Sequence, residues 1–479
     1  MYIGIDLGTS AVKLILMDEN GKIHNTVSHE YPIFYPRPGW SEQNPEDWYA
    51  HTIQGIAELT ANIDKTMVAG ISCAGQMHGL VILDENDNVI RPAILWNDGR
   101  TSAETDYLND VIGKQKLSAY TANIAFSGFT APKILWLKNN EPENYHKIRK
   151  IMLPKDYIAY KLSGTFCTDY SDASGMLLLD VKNRRWSDEM CDICGVNASQ
   201  LPKLYESYEK VGNLLPGLAE KLGLSDKTVI AAGAGDNAAA AIGTGTVGNG
   251  RCNISLGTSG TIFISSDTFR IDENNALHSF AHADGHYHLM GCMLSAASCN
   301  KWWLEEILHT NDYSAEQEEI KNLGENHVFF LPYLMGERSP WNNPSARGTF
   351  TGLTMNSSRA DITQAVLEGV SFAVRDMYEC AKKTGVSLTS TMICGGGAKS
   401  PLWRKMIANI LNMRVNVPFS EEGPAMGAAM LAMVACGEYK TVKEAAEAIV
   451  KVAKSEEPDP ALVKSMTLVI NSLGRFIPQ

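Results

Sequence analysis

Residues 5–18 read IDLGTSAVKLILMD, and residues 254–267 read ISLGTSGTIFISSD. The tetrapeptide Leu-Gly-Thr-Ser thus stands twice, at 7–10 and at 256–259. Each copy is an apolar strand, a Gly-Thr-Ser turn and a second strand rich in β-branched and aliphatic residues, the pattern of a β-hairpin. Two copies so far apart imply two domains built on one plan, each opening with a hairpin. The turn also has a chemistry. Glycine lets the backbone approach a ligand closely, and the hydroxyls and successive N–H groups can donate to phosphate oxygens. Lys13 adds a point charge just beyond the first turn. Two ordinary tight hairpins are the bland alternative, which the repetition weakens.

Working outward, 479 residues exceed what one core accommodates. Between the two copies lies GTGTVGNG (243–250), whose four glycines read as a flexible connector and a hinge. The division falls there, giving domains 1–245 and 246–479. Strand and helix patterns alternate elsewhere, so the fold class is α/β. NPEDWYAHTIQGIAEL (44–59) predicts a helix capped by Asn44 and started by Pro45, with Tyr49, Ile53, Ile56 and Ala57 on one face. MVAGISCAG (67–75) reads as a buried strand and LVILDENDNVIRP (80–92) as a hairpin. Ser358 and Asp361 form a capping pair for a helix that buries Ile362, Val366, Val370, Ala373 and Met377 and ends at Gly385. GPAMGAAMLAMVACG (423–437) is a helix whose small residues imply close packing.

Composition narrows the function. The net charge of −12 argues against a nucleic-acid partner, which would need a basic face. No apolar run reaches the ~18 residues of a membrane span. The start, MYIGID, lacks a basic region, so no secretory signal is expected. The ten cysteines show no framework spacing. The one close pair, Cys191 and Cys194, has no second CxxC or histidine pair, so reduced thiols in a cytoplasmic compartment are expected.

The stretch TVIAAGAGDNAAAAIG (228–243) matches G-x-G-x-x-A at 233–238, yet no acid follows Asp236 until Asp267. The ribose-binding partner of a dinucleotide fold is therefore missing. Neither Gly-Lys pair sits in a P-loop. In ICGGGAKSPLWRKMIANIL (393–411), a strand enters Gly395-Gly396-Gly397-Ala398 and then a helix. Such a turn either admits a flat ligand against bare backbone or is a sharp strand-to-helix turn. AGQMHGL (74–80) places Met77 and His78 at the C-terminal end of a strand, where α/β ligands bind. LWNDGRT (95–101) clusters Asn97, Asp98 and Arg100. Singly each is more often a surface loop or a satisfied core residue. Together with Asp236 and Asn237 they supply the donors and acceptors a polyhydroxylated substrate needs.

The chain resembles the FGGY family of carbohydrate kinases. The blocks that carry the resemblance are YIGIDLGTSAVK (2–13), WSEQNPEDWY (40–49), GQMHG (75–79), RPAILWNDGRT (91–101), GFTAPKILWL (128–137), LPKDYI (153–158), GAGDNAAAAIG (233–243), LSAASCNKWW (294–303), FLPYLMGERSPWNNPSARGTFTGL (330–353), GGGAKSPLWRKMIAN (395–409) and GPAMGAAMLA (423–432). They run in order across nearly the whole chain.

The resemblance implies two actin- or hexokinase-like (ribonuclease H-like) domains, with ATP and sugar meeting in the cleft between them. It assigns Gly8, Thr9, Ser10 and Lys13 to the terminal phosphates, with Gly257 and Thr258 approaching from the other domain. Gly396, Gly397 and Ala398 would line the adenosine end, and Asp6 would attend Mg²⁺. Met77, His78, Asp236 and Asn237 would form the sugar pocket, with Asp236 as the general base. At an ordinary pKa of about 3.9, that aspartate would be ionised at neutral pH. Ala11 stands where many relatives have glycine or serine, a small change. The Gln76–Gly79 and Trp96–Arg100 blocks resemble the branch whose acceptor is D-xylulose. Other relatives take glycerol, gluconate, ribulose, rhamnulose or fuculose, and a non-catalytic actin-like nucleotide-binding protein is the rival of another class. The family accommodates a homodimer.

Overall fold

A computed structural model describes residues 1–321 and 323–473. Two seven-stranded mixed sheets form its frame. The first runs Lys210–Asn213, Val229–Ala231, Gly70–Gly75, Tyr2–Leu7, Ala11–Met17, Ile23–Glu30, with Ala234–Gly235 also pairing to Gly70–Gly75. The second runs His278–Ala281, Tyr287–Met293, Gly260–Ser266, Cys252–Leu256, Ser390–Cys394, Arg414–Pro418, Val452–Glu456.

The repeated phrase builds equivalent parts of the two sheets. Tyr2–Leu7 pairs antiparallel with Ala11–Met17 and parallel with Gly70–Gly75. Cys252–Leu256 likewise pairs antiparallel with Gly260–Ser266 and parallel with Ser390–Cys394. One turn closes with Leu7 opposite Val12, the other with Leu256 opposite Gly260. The central strands are mostly apolar because both sheet faces are covered; Ile3, Ile5, Leu7, Ile254 and Leu256 are fully buried.

The helices follow their caps. Asn44 accepts a bond from Glu46 N at the start of Pro45–Leu59. Its acidic first turn, Glu46 and Asp47, suits the positive end of the helix dipole. The buried stripe is rotated from the expected one: it runs through Trp48, Thr52, Ile56 and Leu59 with Ile53, while Ala57 is exposed and Tyr49 half-buried. Trp48 is the largest apolar surface on the helix, and burying it decides the rotation. Ser358 and Asp361 make the reciprocal capping box of Arg359–Lys383. Val366, Val370, Ala373 and Met377 are buried as expected, and Ile362 is partly so.

The small-residue helix Gly423–Cys436 lies against Tyr2–Leu7, Gly70–Gly75 and the helix Asp236–Gly243. A Cβ on Gly4 would stand 1.9 Å from the Ala425 carbonyl oxygen, and one on Gly427 1.9 Å from that of Ala239. Backbone here meets backbone, so nothing larger than glycine fits. A late segment of the chain thereby covers the first sheet.

The connector 244–251 is not the loose tether its glycines suggest. Thr244, Thr246 and Val247 are buried, Thr246 O accepts from His282 Nε2 at 2.9 Å, and Gly248 N donates to Asp284 at 3.2 Å. Its glycines at 245, 248 and 250 hold positive φ, so they serve tight turning rather than looseness. All ten cysteines are free thiols, Cys191 and Cys194 included. Among the described residues no helix is long and apolar enough to cross a membrane.

Candidate active site

The two Gly-Thr-Ser turns have their carbonyls drawn back into the protein. Gly8 O accepts from the Tyr31 hydroxyl and from Gln76 Nε2, Thr9 O from Gln43 Nε2 at 2.6 Å, and Ser10 O from Tyr31 N at 3.2 Å. Gln43 is itself oriented by bonds that Trp48 Nε1 and Gln76 Nε2 donate to its Oε1. In the second turn, Gly257 O accepts from Ala297 N at 2.8 Å and Thr258 O from Ala296 N at 2.9 Å, with Ser298 Oγ adding a third bond. Gly8 N is committed across the turn to Ala11 O at 3.0 Å, so with the carbonyls satisfied from behind the amides of Thr9 and Ser10 are the ones left for an anion in the first turn.

Asp236 opens the helix Asp236–Gly243 directly after the short strand Ala234–Gly235. Gly233 before it has φ +79°, and a Cβ there would stand 2.1 Å from Cys73 O. Asn237 N and Nδ2 both donate to Asp236 Oδ1, at 2.7 and 2.9 Å. Among the described residues Oδ2 accepts no hydrogen bond, which leaves it as the oxygen that can take a proton. The carboxyl is enclosed by protein except where it lines a cavity. Burial pushes its pKa up to about 6, against the lowering effect of the two Asn237 bonds. The expectation of an ordinary pKa is therefore corrected: a buried carboxylate without a cationic partner loses hydration that the two Asn237 bonds only partly replace.

That cavity has a volume of about 760 Å³ and brings together Asp6, Gly8, Asp236, Asn237, Gly396 and Ala398. Asp6 is the next-to-last residue of the first strand, and its pKa rises to about 7, through burial first and then the charge of Asp236, with Lys13 opposing. Lys13 sits at 3.0 Å from Glu422, an ion pair between the first hairpin and the start of helix Gly423–Cys436. Thr9 Oγ1 accepts from Trp96 Nε1 at 2.9 Å, and Ser10 is exposed. Gly395 turns with φ +88°; a Cβ there would meet Leu256 C and O at 2.6 Å. Ser400 then caps Pro401–Leu411 through Trp403 N.

Gly257, Thr258, Gly396 and Gly397 line an adjoining cavity of about 740 Å³, with Asn300 and Gln317 on its wall. The two cavities share Gly396 and Lys399. Asn300 and Gln317 carried no signal in the sequence beyond being polar.

Met77 is buried, with Sδ 4.0 Å from Asn237 Nδ2. His78 holds φ +69°, which is strained for a residue with a Cβ. Its ring lies 4.7 Å from that of Phe129. Burial, then the charges of Lys133 and Arg338, bring its pKa down to about 3, so the ring is neutral. Nδ1 is 2.8 Å from Gly175 O and must be the protonated nitrogen, which leaves Nε2 as an acceptor for a hydroxyl. Lys133, unremarked in the sequence reading, holds this loop by donating to His78 O at 2.9 Å and Gly128 O at 2.6 Å.

Asp98 and Arg100 do not serve a substrate. Arg100 Nε and Nη2 bind Asp98 at 2.9 and 2.7 Å, Asp98 accepts from Ser41 N, and the guanidinium stacks over Trp40 at 3.8 Å. Both are buried, and they fasten the Trp96 loop to residues 40–42. Asn97 alone of the three is exposed.

Residues 1–243 match the model of the FGGY family of carbohydrate kinases, N-terminal domain, and residues 252–436 that of the C-terminal domain. A xylulose kinase from Escherichia coli is 42% identical over 93% of this chain and 92% of its own length. One from Bacillus subtilis is 40% identical over 95% and 92%. The crystal structure of a xyloylose kinase from Brucella ovis superposes with a TM-score of 0.95 at 39% identity, covering 100% of this chain and 98% of that one. With both its halves matched, this chain belongs to the FGGY family of carbohydrate kinases.

Proposed function

We propose that this chain transfers the γ-phosphate of ATP to D-xylulose, giving D-xylulose 5-phosphate. The observation that carries the reading is one cavity lined by Asp236, Asp6 and Gly8 of the first Gly-Thr-Ser turn, in a chain about 40% identical to xylulose kinases over nearly its full length.

Asp236 accepts the proton of the attacking sugar hydroxyl on Oδ2. A base at about 6 is ionised at neutral pH and more basic than an ordinary aspartate, so both protonation state and driving force favour transfer. Gly8, Thr9, Ser10 and Lys13 take the terminal phosphates from one side, and Gly257 and Thr258 from the other. Gly396, Gly397 and Ala398 lie along the adenosine. Met77, His78 and Asn237 hold the sugar, His78 accepting a hydroxyl proton at Nε2. The rate comes mainly from aligning the hydroxyl with the phosphorus and from donors aimed at phosphate oxygens.

Asp6 and Asp236 are a fitting seat for Mg²⁺, because two carboxylates raised by burial, Asp6 also by the charge of Asp236, are relieved by a divalent cation. Asp6 would hold the ion, which when bound neutralises charge on the transferring phosphate. The division into units 1–245 and 246–479 is part of this reading, their approach excluding water as a competing acceptor. A cytoplasmic setting supplies ATP and keeps the thiols reduced.

A coupled assay of ADP release over D-xylulose, D-ribulose, gluconate and glycerol tests it. D-xylulose should give the highest kcat/KM. A clear preference for another acceptor would replace the substrate, and no sugar-dependent turnover would leave an actin-like nucleotide binder.

A further inference from the structure

Beneath the loop that carries Asp236 lies a charged cluster that the proposed reaction does not use. Lys155 is fully buried, with Nζ 2.6 Å from Asp156 Oδ1, 2.9 Å from Asp169 Oδ1 and 4.0 Å from Asp172 Oδ2. All three carboxylates are buried too. Burial alone would pull the Lys155 ammonium down, but the three aspartates outweigh it and hold it well above its usual value. Asp172 has no hydrogen bond on either oxygen, and burial pushes its carboxyl well up, against the attraction of Lys155.

Such a cluster is a poor device for stability. Desolvating an ammonium and carboxylates costs several kcal/mol per ion, and apolar packing of the same volume is often as stable or more so. What it can supply is a fixed arrangement, and its bonds lead to the reacting loop. Asp169 Oδ2 accepts from Ser171 Oγ at 2.5 Å and from Ser207 Oγ at 2.6 Å. With its hydrogen committed to Asp169, the Ser171 oxygen turns a lone pair to Gly235 N, which donates to it at 3.2 Å. Gly235 is the residue before Asp236. On the opposite side, the side chain of Lys155 packs under Gly75, where a Cβ would stand 2.8 Å from Lys155 Cβ. Gly75 leads into Gln76, Met77 and His78. One lysine thus underlies both the loop that carries Asp236 and the loop of Met77 and His78.

Resting on the reading above, we propose that Lys155 is a positioning residue for phosphoryl transfer, acting through Asp169 and Ser171 on the backbone of Gly235. It fixes where the Asp236 carboxylate stands relative to the attacking hydroxyl. Misplacing a catalytic group by about 1 Å can cost on the order of 10²-fold in rate.

The two serines on Asp169 make the test, since Ser171 touches Gly235 and the Ser207 side chain does not. Ser171→Ala and Ser207→Ala are compared with wild type for kcat, for KM toward ATP and D-xylulose, and for thermal midpoint. Ser207→Ala should lose stability while kcat stays within about twofold. Ser171→Ala should lose roughly tenfold in kcat with the KM for ATP within about twofold, and Lys155→Met should lose more in the same direction. Equal falls in kcat for both serine variants, tracking their thermal midpoints, would show a packing role only and overturn the proposal. So would a Ser171→Ala kcat within twofold of wild type. If Lys155→Met does not fold, the serine pair decides. Wild type inactive on D-xylulose would instead reject the activity itself.

Discussion

Asp236 titrates near 6 because a buried carboxyl whose hydrogen bonds fall on one oxygen is short of the solvation its charge needs. Two consequences differ in sign. As a base it works only when ionised, so kcat/KM should fall as pH drops through about 6, and a pH profile of kcat/KM, which reports the free enzyme, reads that limb directly. For stability, the folded pKa lies above the unfolded value of 3.8, so the group favours the fold below about pH 4 and costs stability as pH rises through about 6. Asp236→Asn should therefore lose about 10²–10⁴ in kcat while ATP still binds. It should gain stability on the order of 1–3 kcal/mol at pH 7, a gain that fades near pH 4 in denaturant titrations. His78→Ala should raise the KM for sugar by roughly tenfold and leave that for ATP nearly unchanged, since losing one buried polar contact costs about 1–3 kcal/mol. Calorimetry showing weaker nucleotide binding instead would reassign His78. The position of Asp236 was legible as a lone charge in a run of alanine and glycine. Its pKa was not, because burial depends on residues far away in sequence. The same blindness misread Asp98 and Arg100, which look like free loop donors and are locked to each other.

The hairpins were the most legible elements, because a strand–Gly–strand pattern is local and stood twice. The capping residues Asn44 and Ser358 were legible for the same reason. The rotation of Pro45–Leu59 was not: which stripe is buried depends on where Trp48 finds its pocket. Lys155 was invisible as a partner of Asp169, since nothing in LPKDYI tells that a strand near residue 169 will lie against it. The seam between Gly423–Cys436 and Asp236–Gly243 was half legible, small residues implying close contact without naming the partner. Its energetics are testable at Gly427. A Cβ there collides with backbone rather than with a side chain that could move. Gly427→Ala should cost about 1–3 kcal/mol or more of stability. Because the displaced backbone belongs to the helix that Asp236 begins, kcat should also fall while the protein remains folded. A variant as stable and active as wild type would mean that the seam can open without consequence.

At the scale of the molecule, the repeat gives two sheets with the same central strand order facing a common cavity, and Lys13–Glu422 is a charged contact between the early and the late part of the chain. Lys13 is part-exposed, so the ion pair itself contributes little to stability. Its cation matters more for phosphate: Lys13→Ala should raise the KM for ATP roughly tenfold, and less at high salt, as a lost charge-assisted contact does. Titrating nucleotide at two ionic strengths checks both parts. The way Gly423–Cys436 lies on Tyr2–Leu7 and Gly70–Gly75 also sets a timetable. On the ribosome every strand of the first sheet has emerged by Gly235, yet the helix that covers it follows roughly 190 residues later. At translation speeds of about 5–20 residues per second, the nascent sheet waits some 10–40 seconds with an apolar face open to solvent. A ribosome stalled in that interval should carry a chaperone client rather than a finished half, and a gene cut at the connector should yield two fragments that become soluble only when made together.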